Sequence, residues 1–242
     1  MTRRRFFIPP DRIRDGIAIL TADQAHHLRA VLRLRAGEDV ELFDGEGNAY
    51  SGKVECHDNG IRITALNRIS LPEKRCACLI LAPALIRLER FEWLLEKGTE
   101  LGVDRFLPLE TRFSSVRIPP AVRQRRLERW QRIVREASKQ CRRLSVPEVH
   151  APLPVMDLLT SREYADWARF LLDGSAQERL STAAAAAGTV LLCIGPEGGW
   201  HSSEVEAAQG KGWRAVRLGP GVLRAETAGL AAIAILRFML DE

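Results

Sequence analysis

Hydrophobic and polar residues alternate with a period of two over most of the first 70 residues. Turn sequences, Asp44-Gly-Glu-Gly-Asn48 and Asp58-Asn-Gly60, separate the alternating stretches. The apolar positions are Val40, Leu42, Tyr50, Val54, Ile61 and Ile63. Alternation broken by such turns predicts a small antiparallel β domain. One stretch, Ala22 to Arg35, has helical spacing instead and carries a basic polar side.

The pattern changes after Leu71-Pro-Glu-Lys74, which we interpret as a linker because proline cannot donate a hydrogen bond to a central strand. From there, apolar strands alternate with helices. The predicted strands are Cys78–Leu85, Arg105–Leu109, Val146–His150, Ala168–Leu172, Thr189–Ile194 and Trp213–Leu218. The predicted helices are Leu88–Leu101, an arginine-rich helix, Val155–Thr160, one from Ser203, and Ala225–Leu240. This alternation predicts an α/β domain with a mainly parallel sheet, so we expect domains at 1–72 and 73–242.

Composition narrows the class of protein. The 242 residues are 46% hydrophobic and 28% charged, and no apolar run approaches the roughly 20 residues that span a bilayer. The apolar start, Phe6-Phe-Ile8, is too short for a signal-peptide core, so we expect a cytoplasmic protein. The five cysteines are scattered and the histidines are isolated or adjacent, which favours neither a disulfide framework nor a metal site.

Charge is distributed unevenly along the chain, which carries a net +5. Between Arg117 and Arg143 many basic residues face only two acids, Glu128 and Glu136. A phosphate-binding surface is one interpretation. The alternative is a solvated helix face, since apolar residues recur along the same stretch at helical spacing.

Two glycine-rich loops follow predicted strands. The first is Gly195-Pro-Glu-Gly-Gly199, and the second starts at Leu218-Gly-Pro-Gly221. Ligands of open α/β sheets bind at the carboxyl ends of strands, so the two loops could clasp one molecule. A tight turn capped by Ser203 and Glu206 is the structural alternative. No Gly-Lys-Ser/Thr follows either loop, which excludes a P-loop, and Arg224 disfavours a dinucleotide fingerprint. The residues alone therefore indicate a nucleotide-like ligand and a polyanion.

Seven segments together resemble the bacterial 16S ribosomal RNA uridine N3-methyltransferases of the SPOUT superfamily. They are Ile194-Gly-Pro-Glu-Gly-Gly199, the run from Leu218 to Ala228, Lys97-Gly-Thr-Glu-Leu-Gly-Val103, Arg129-Trp130, Ala137-Ser-Lys-Gln-Cys141, Val146-Pro-Glu148 and Arg4-Arg-Phe-Phe7. The similarity covers nearly the whole chain. It departs from the family at Gly221, where a basic or amide residue is usual, and at Lys139, where an acid is frequent.

The resemblance implies an N-terminal PUA-like β-barrel that binds RNA and a C-terminal SPOUT-type α/β domain with a deep trefoil knot. It also implies S-adenosylmethionine as cofactor, a homodimer, and 16S rRNA as substrate within the small subunit, at uridine 1498. The implied cofactor-binding residues are Leu172, Ile194, Gly195, Pro196, Glu197, Gly198, Gly199, Leu218, Gly219, Leu223, Thr227 and Ala228. The expected RNA-binding residues are Arg3, Arg4, Arg5, Arg29, Arg33, Arg126, Arg129 and Arg143.

Methylation of uracil at N3 requires loss of the N3 proton. Glu226 is the candidate base or proton relay, and Arg224 the candidate donor to charge that develops on the flanking carbonyl oxygens. Both residues could instead be structural, Glu226 through the helix dipole and Arg224 through phosphate or through Glu226 itself. Two other functions stay open: a non-catalytic RNA-binding assembly factor, and a SPOUT enzyme acting on tRNA or on a ribose hydroxyl.

Overall fold

The structure of the chain is a computed structural model that describes residues 4–57, 60–69, 77–185 and 187–240. Arg3, the expected linker Leu71–Lys74 and the expected domain boundary at 72 and 73 lie outside these residues. None of the described helices is both long enough and apolar enough to cross a membrane. Backbone contacts divide the chain into two compact units.

The first unit comprises Met1–Glu73 together with Ser138–Val146 and contains a six-stranded sheet. Its described strands are β1 Arg4–Phe7, β2 Ile13–Arg14, β3 Ile17–Ile19, β4 Asp39–Phe43, β5 Ala49–His57 and β6 Gly60–Ile69. They lie in the order β1-β4-β5-β6-β3-β2. The apolar residues of the predicted alternation form one core, in which Val40, Leu42, Val54, Ile61 and Ile63 are all buried.

Two details of this unit differ from the sequence-based prediction. The pair β1–β4 is parallel, whereas the other described pairs of the sheet are antiparallel. The predicted helix from Ala22 to Arg35 is shorter: α1 covers Ala22–His26, and a wider π-helical turn follows over His27–Val31. Arg33 then adopts a positive φ of 52°, a conformation that cannot continue a right-handed helix.

Residues 138–146 complete the first unit although they are distant from it in sequence. Val146 N donates to Gly45 O at 3.0 Å, and Ser145 forms bridges with Gly45 and Glu46. Arg5 donates to the carbonyl of Arg143 at 2.9 Å. The alternating pattern of the first 70 residues does not predict that residues 138–146 join this unit. Their contacts with Gly45 and Glu46 link segments that are distant in sequence.

The second unit comprises Lys74–Ala137 and Pro147–Glu242. The described strands of its larger sheet are β7 Leu79–Pro83, β8 Arg105–Phe106, β10 Glu148–Val149, β12 Ala168–Leu172, β13 Glu178–Arg179, β14 Val190–Ile194 and β15 Arg214–Arg217. Their order is β10-β8-β7-β14-β12-β15-β13, and each described pair is parallel. The prediction of a parallel α/β sheet is therefore confirmed.

A separate two-stranded sheet holds β9 Leu109–Glu110 and β11 Leu153–Pro154. The prediction of one strand over Arg105–Leu109 is wrong, because Leu107 and Pro108 separate β8 from β9 and the two short strands pair with different partners. The strand predicted over Val146–His150 shortens to β10.

The described helices of this unit are α2 Leu88–Glu100, α3 Pro120–Gln140, α4 Val155–Thr160, α5 Leu180–Ala183, α6 Ser202–Gly210 and α7 Ala225–Leu240. Helix α7 packs on α2, where Gly229 leaves room for Leu94: a Cβ on Gly229 would lie 3.0 Å from the Leu94 side chain. Helix α3 packs on α2 through Trp130 and Phe91, whose ring centroids are 4.8 Å apart. The trefoil knot stays a prediction.

Candidate functional site

A cavity of about 180 Å³ lies at the carboxyl ends of three neighbouring parallel strands, β14, β12 and β15. The loop after each strand contributes to it, and the first residues of α7 close one side. The lining residues are Leu172, Asp173, Gly174, Ile194, Gly195, Pro196, Glu197, Gly199, Trp200, Arg217, Leu218, Gly219, Gly221, Val222, Leu223, Ala225 and Ala228. Both glycine-rich loops thus line one cavity.

Most of the expected cofactor-binding residues line this cavity; Gly198 and Thr227 do not. Sequence analysis missed Asp173, Trp200 and Arg217. A signal existed for Asp173, since it directly follows a predicted strand whose carboxyl end meets the same edge of the sheet. Trp200 follows the glycine motif without interruption, but no spacing rule singles out Arg217.

Trp200 joins the ends of two strands. Its indole Nε1 donates to the carbonyl of Leu172 at 2.8 Å, which ties the loop after β14 to the end of β12. The indole also packs against Gly195, where an added Cβ would lie 3.1 Å from ring atoms Cε2 and Nε1. The absent side chain at residue 195 therefore permits the tryptophan to reach its acceptor.

The cavity is lined by groups of both signs, so it suits a ligand that carries both a positive and a negative charge. Arg217 has a buried Nε with no hydrogen-bond partner among the described residues, and such a donor is costly unless a ligand satisfies it. Asp173 adds a carboxylate, although one of its oxygens already accepts from Ser175 N and Oγ, each at 2.8 Å. Leu172, Ile194 and Leu218 supply apolar surface, so the cavity offers both apolar and charged groups to a ligand.

The two adjacent glycines of the first loop differ from each other. Gly199 has a φ of 72°, which favours glycine, and it lines the cavity. At Gly198 φ is not positive, and a Cβ there would lie 3.1 Å from Cβ of Phe113. A side chain at residue 198 would therefore clash with Phe113, and residue 198 does not line the cavity. The role of Gly198 in cofactor binding stays a prediction.

The capping box at the start of α6 is also displaced from its predicted position. His201 is the N-cap and Glu204 the N3 residue, in place of Ser203 and Glu206. Glu204 is buried, accepts from His201 N at 2.8 Å, and accepts from Arg112 N at 2.8 Å through its other oxygen. A single carboxylate thus caps the helix and fixes the segment before Phe113.

Arg90 of α2 lies between two carboxylates, Glu197 of the first loop and Glu226 in the first turn of α7. Its Nη1 is 3.5 Å from Glu197 Oε1, and its Nε is 3.6 Å from Glu226 Oε1. Ser115 Oγ donates to the second oxygen of Glu197 at 2.7 Å. Glu226 is buried and directed to α2, whereas its neighbours Ala225 and Ala228 line the cavity. Sequence analysis did not single out Arg90 or Ser115.

Arg224, the other catalytic candidate, is exposed and forms no side-chain hydrogen bond or ion pair with the described residues. Its alternative role as a partner of Glu226 does not occur in this structure, because Arg90 occupies that place. The guanidinium of Arg224 therefore remains available to a substrate.

The arginines expected to bind RNA fall into two groups. Arg4, Arg29 and Arg33 are exposed. The side chain of Arg5 is 8% exposed, and this burial lowers the pKa of its guanidinium, whose Nε lies 3.0 Å from Glu41 Oε1. A contact of Arg5 with phosphate stays a prediction. The side chain of Arg143 is half-buried and donates to Ser145 Oγ at 3.3 Å.

On α3, Glu92 of α2 holds two of the expected RNA-binding arginines. Arg129 donates to both carboxylate oxygens of Glu92, at 2.6 and 2.7 Å. Arg126 Nη1 lies 3.6 Å from Glu92 Oε1. Arg125 and Arg132 are exposed on the same helix and have no such partner among the described residues. The arginine-rich helix thus uses some cations for packing and leaves others open to solvent.

Neither a reactive thiol at Cys193 nor a metal-binding cluster accompanies this cavity in the described part of the chain. Burial raises the pKa of the Cys193 thiol at the end of β14, so it stays protonated and unreactive at neutral pH. Among the described residues, no three His, Cys, Asp or Glu side chains are grouped so as to hold a metal ion.

Comparison with known proteins identifies relatives over nearly the whole chain. Residues 72–237 match the family described as an RNA methyltransferase domain, and residues 20–56 match an RNA methyltransferase PUA domain. A "Ribosomal RNA small subunit methyltransferase E" of Mycobacterium tuberculosis (strain CDC 1551 / Oshkosh) is 36% identical over 90% of this chain and 85% of its own length.

Two solved structures share the fold. The ribosomal RNA small subunit methyltransferase E of Neisseria gonorrhoeae, bound to S-adenosyl methionine, has a TM-score of 0.87 at 29% identity over 98% of both chains. A methyltransferase of Legionella pneumophila in complex with the bound cofactor SAM has a TM-score of 0.88 at 26% identity over 98% of both chains. Both structures carry the same cofactor.

We expect Gly195→Ala to weaken binding of S-adenosylmethionine about tenfold. The new methyl group would displace Trp200 from Leu172, and overpacking of this kind costs about 1–3 kcal/mol. Isothermal titration calorimetry measures the Kd. Gly210→Ala is the matched control, since a Cβ there meets no atom within 4 Å. An unchanged Kd in Gly195→Ala would show that Trp200 does not shape the ligand site.

Proposed function

The chain belongs to the ribosomal RNA small subunit methyltransferase E family, and from this premise we propose that it transfers a methyl group from S-adenosylmethionine to N3 of a uridine in 16S rRNA. We take the target to be uridine 1498, the position that the resemblance in the sequence implies. The observation that carries the proposal is the single cavity lined by both glycine-rich loops. Relatives with the same fold are solved with S-adenosylmethionine bound.

The residues around the cavity would hold the cofactor as follows. Leu172, Ile194 and Leu218 would supply apolar surface to the nucleoside. The unpartnered Nε of Arg217 would donate to an oxygen of the ligand, and Gly199 would let the backbone approach it. When bound, S-adenosylmethionine supplies an electrophilic methyl group on a sulfonium.

The protein must remove the N3 proton so that the nitrogen lone pair can form the new bond. Glu226 is the proposed acceptor, since its Oε2 has no hydrogen-bond partner among the described residues. This oxygen has no exposed surface, so the proposal requires it to become accessible when RNA binds. Arg224 is exposed beside it in sequence and would stabilise the negative charge on the uracil carbonyl oxygens.

The substrate and the assembly complete the proposal. Phosphates of 16S rRNA in the small subunit contact exposed arginines of the PUA-matching unit, Arg4, Arg29 and Arg33, and of α3. The protein acts as a homodimer. Large apolar side chains exposed on α2 and α7, Trp93 at 43% and Phe238 at 69%, support an interface there.

The proposed reaction predicts a specific product. Small-subunit RNA lacking the modification, incubated with the protein and S-adenosylmethionine, is expected to yield N3-methyluridine on nucleoside mass spectrometry. A 2′-O-methylated nucleoside or a methylated tRNA would instead support another member of the SPOUT superfamily. Absence of both methyl transfer and cofactor binding would support an RNA-binding assembly factor.

Glu226→Gln is expected to slow methyl transfer about 10²–10⁴-fold at saturating cofactor and RNA, the range for loss of an acid–base group. Raising the pH is expected to restore part of the rate, because ionisation of uracil then replaces the missing base. Single-turnover rates across pH measure both effects. Glu206→Gln is the control, since Glu206 is an exposed glutamate of α6. A slow variant without recovery at high pH would make Glu226 a structural residue.

Exposed arginines of α3 are expected to bind phosphates. Arg125→Gln and Arg132→Gln should each weaken RNA binding and reduce the slope of log K against log salt by about 1. Fluorescence anisotropy over a salt series gives the slope. Arg162→Gln, an exposed arginine outside this helix, is the control. Arg129→Gln is expected to lower thermal stability as well, since it removes the pair with Glu92. A salt-independent affinity would contradict a phosphate-binding surface.

A further inference from the structure

Arg90 is a partly buried cation, with a side chain 32% exposed, that contacts both Glu197 of the first glycine-rich loop and Glu226 in the first turn of α7. It lies in the first turn of α2, the helix that follows β7, and β7 is the neighbour of β14. One of its carboxylate partners, Glu197, lines the cofactor cavity. The other, Glu226, is the proposed proton acceptor. A single guanidinium therefore links the cofactor loop to the residue that would perform the chemistry.

The carboxylate oxygens of Glu197 and Glu226 differ in whether they have a partner. Both oxygens of Glu197 are engaged, one by Arg90 and one by Ser115. Glu226 Oε1 faces Arg90, whereas Glu226 Oε2 is buried and has no hydrogen-bond partner among the described residues. A buried carboxylate oxygen without a donor is costly, and uracil N3–H is a donor of the kind that would satisfy it.

We propose that Arg90 is a positioning residue for methyl transfer: it holds Glu226 through Oε1 so that Oε2 is the oxygen presented to the N3 proton. This inference rests on the proposed function. Because Arg90 also holds Glu197, a cavity-lining residue, binding of cofactor and alignment of Glu226 depend on the same side chain. Arg90 itself takes no proton and forms no bond to the methyl group.

A purely structural role would tie α2 to α7 and to the first loop without acting through Glu226. The two roles differ in how substitutions combine. If Arg90 acts through Glu226, its removal has no further effect on the rate once Glu226 cannot accept a proton. If Arg90 supports the fold or contacts RNA, its effect persists in both backgrounds.

The experiment is a double-mutant cycle on the full-length protein with Arg90→Gln, Glu226→Gln and the double variant. Single-turnover rates are measured at saturating cofactor and RNA. We expect Arg90→Gln to be about 10-fold slower, with the RNA concentration for half-maximal rate little changed, and the double variant to be no slower than Glu226→Gln. Arg90→Lys, which keeps the charge, is expected to recover part of the rate.

Arg87→Gln is the matched control, because Arg87 is an exposed arginine that immediately precedes α2. Additive losses in the cycle, or a wild-type rate in Arg90→Gln, would overturn the proposal. If Arg90→Gln does not fold, Arg90→Lys carries the same cycle. These outcomes are separate from the proposed function, which fails only if the wild-type protein makes no N3-methyluridine.

Discussion

Strand β14 is hydrogen-bonded along both edges, and this constraint determines where chemistry can occur. Each of its five residues pairs with β7 on one side and with β12 on the other, and all five are buried. A strand enclosed in this way has no free backbone group along its length. Its carboxyl end is the first point at which the chain can present backbone to a ligand, and the glycine-rich loop begins there.

The same constraint places the second loop and Glu226. Helix α7 can approach the end of β14 only where its side chains are small: a Cβ on Gly229 would lie 3.0 Å from both Ile194 and Leu94. Close packing at Gly229 puts the first turn of α7 beside α2, and Glu226 is then directed to Arg90. Sheet pairing, helix packing and the ion pair are therefore successive consequences of one buried strand.

Sequence patterning predicted the parts of this arrangement that depend on local periodicity. The last helix, Ala225–Leu240, has the predicted bounds, and the strands before both loops are present. Contacts that join distant segments were not predictable, because no local pattern specifies them. Arg90 meets Glu226 across 136 positions of sequence, and residues 138–146 belong to a compact unit otherwise formed by residues 1–73. The cap at His201 was missed because histidine is a less usual N-cap than serine.

The geometry of the Arg90–Glu226 pair is compatible with two opposing requirements that the proposed base would have to meet. A cation beside a carboxylate holds it in place and stabilises its anion, but the same attraction is lost when the carboxylate takes a proton. A tight bidentate pair, such as Arg129 with Glu92 at 2.6 and 2.7 Å, commits both oxygens to structure. Arg90 contacts one oxygen of Glu226 at 3.6 Å, beyond ordinary hydrogen-bond length, and shares its charge with Glu197. The weaker, shared contact leaves the second oxygen of Glu226 uncommitted, as its proposed role of proton acceptor requires.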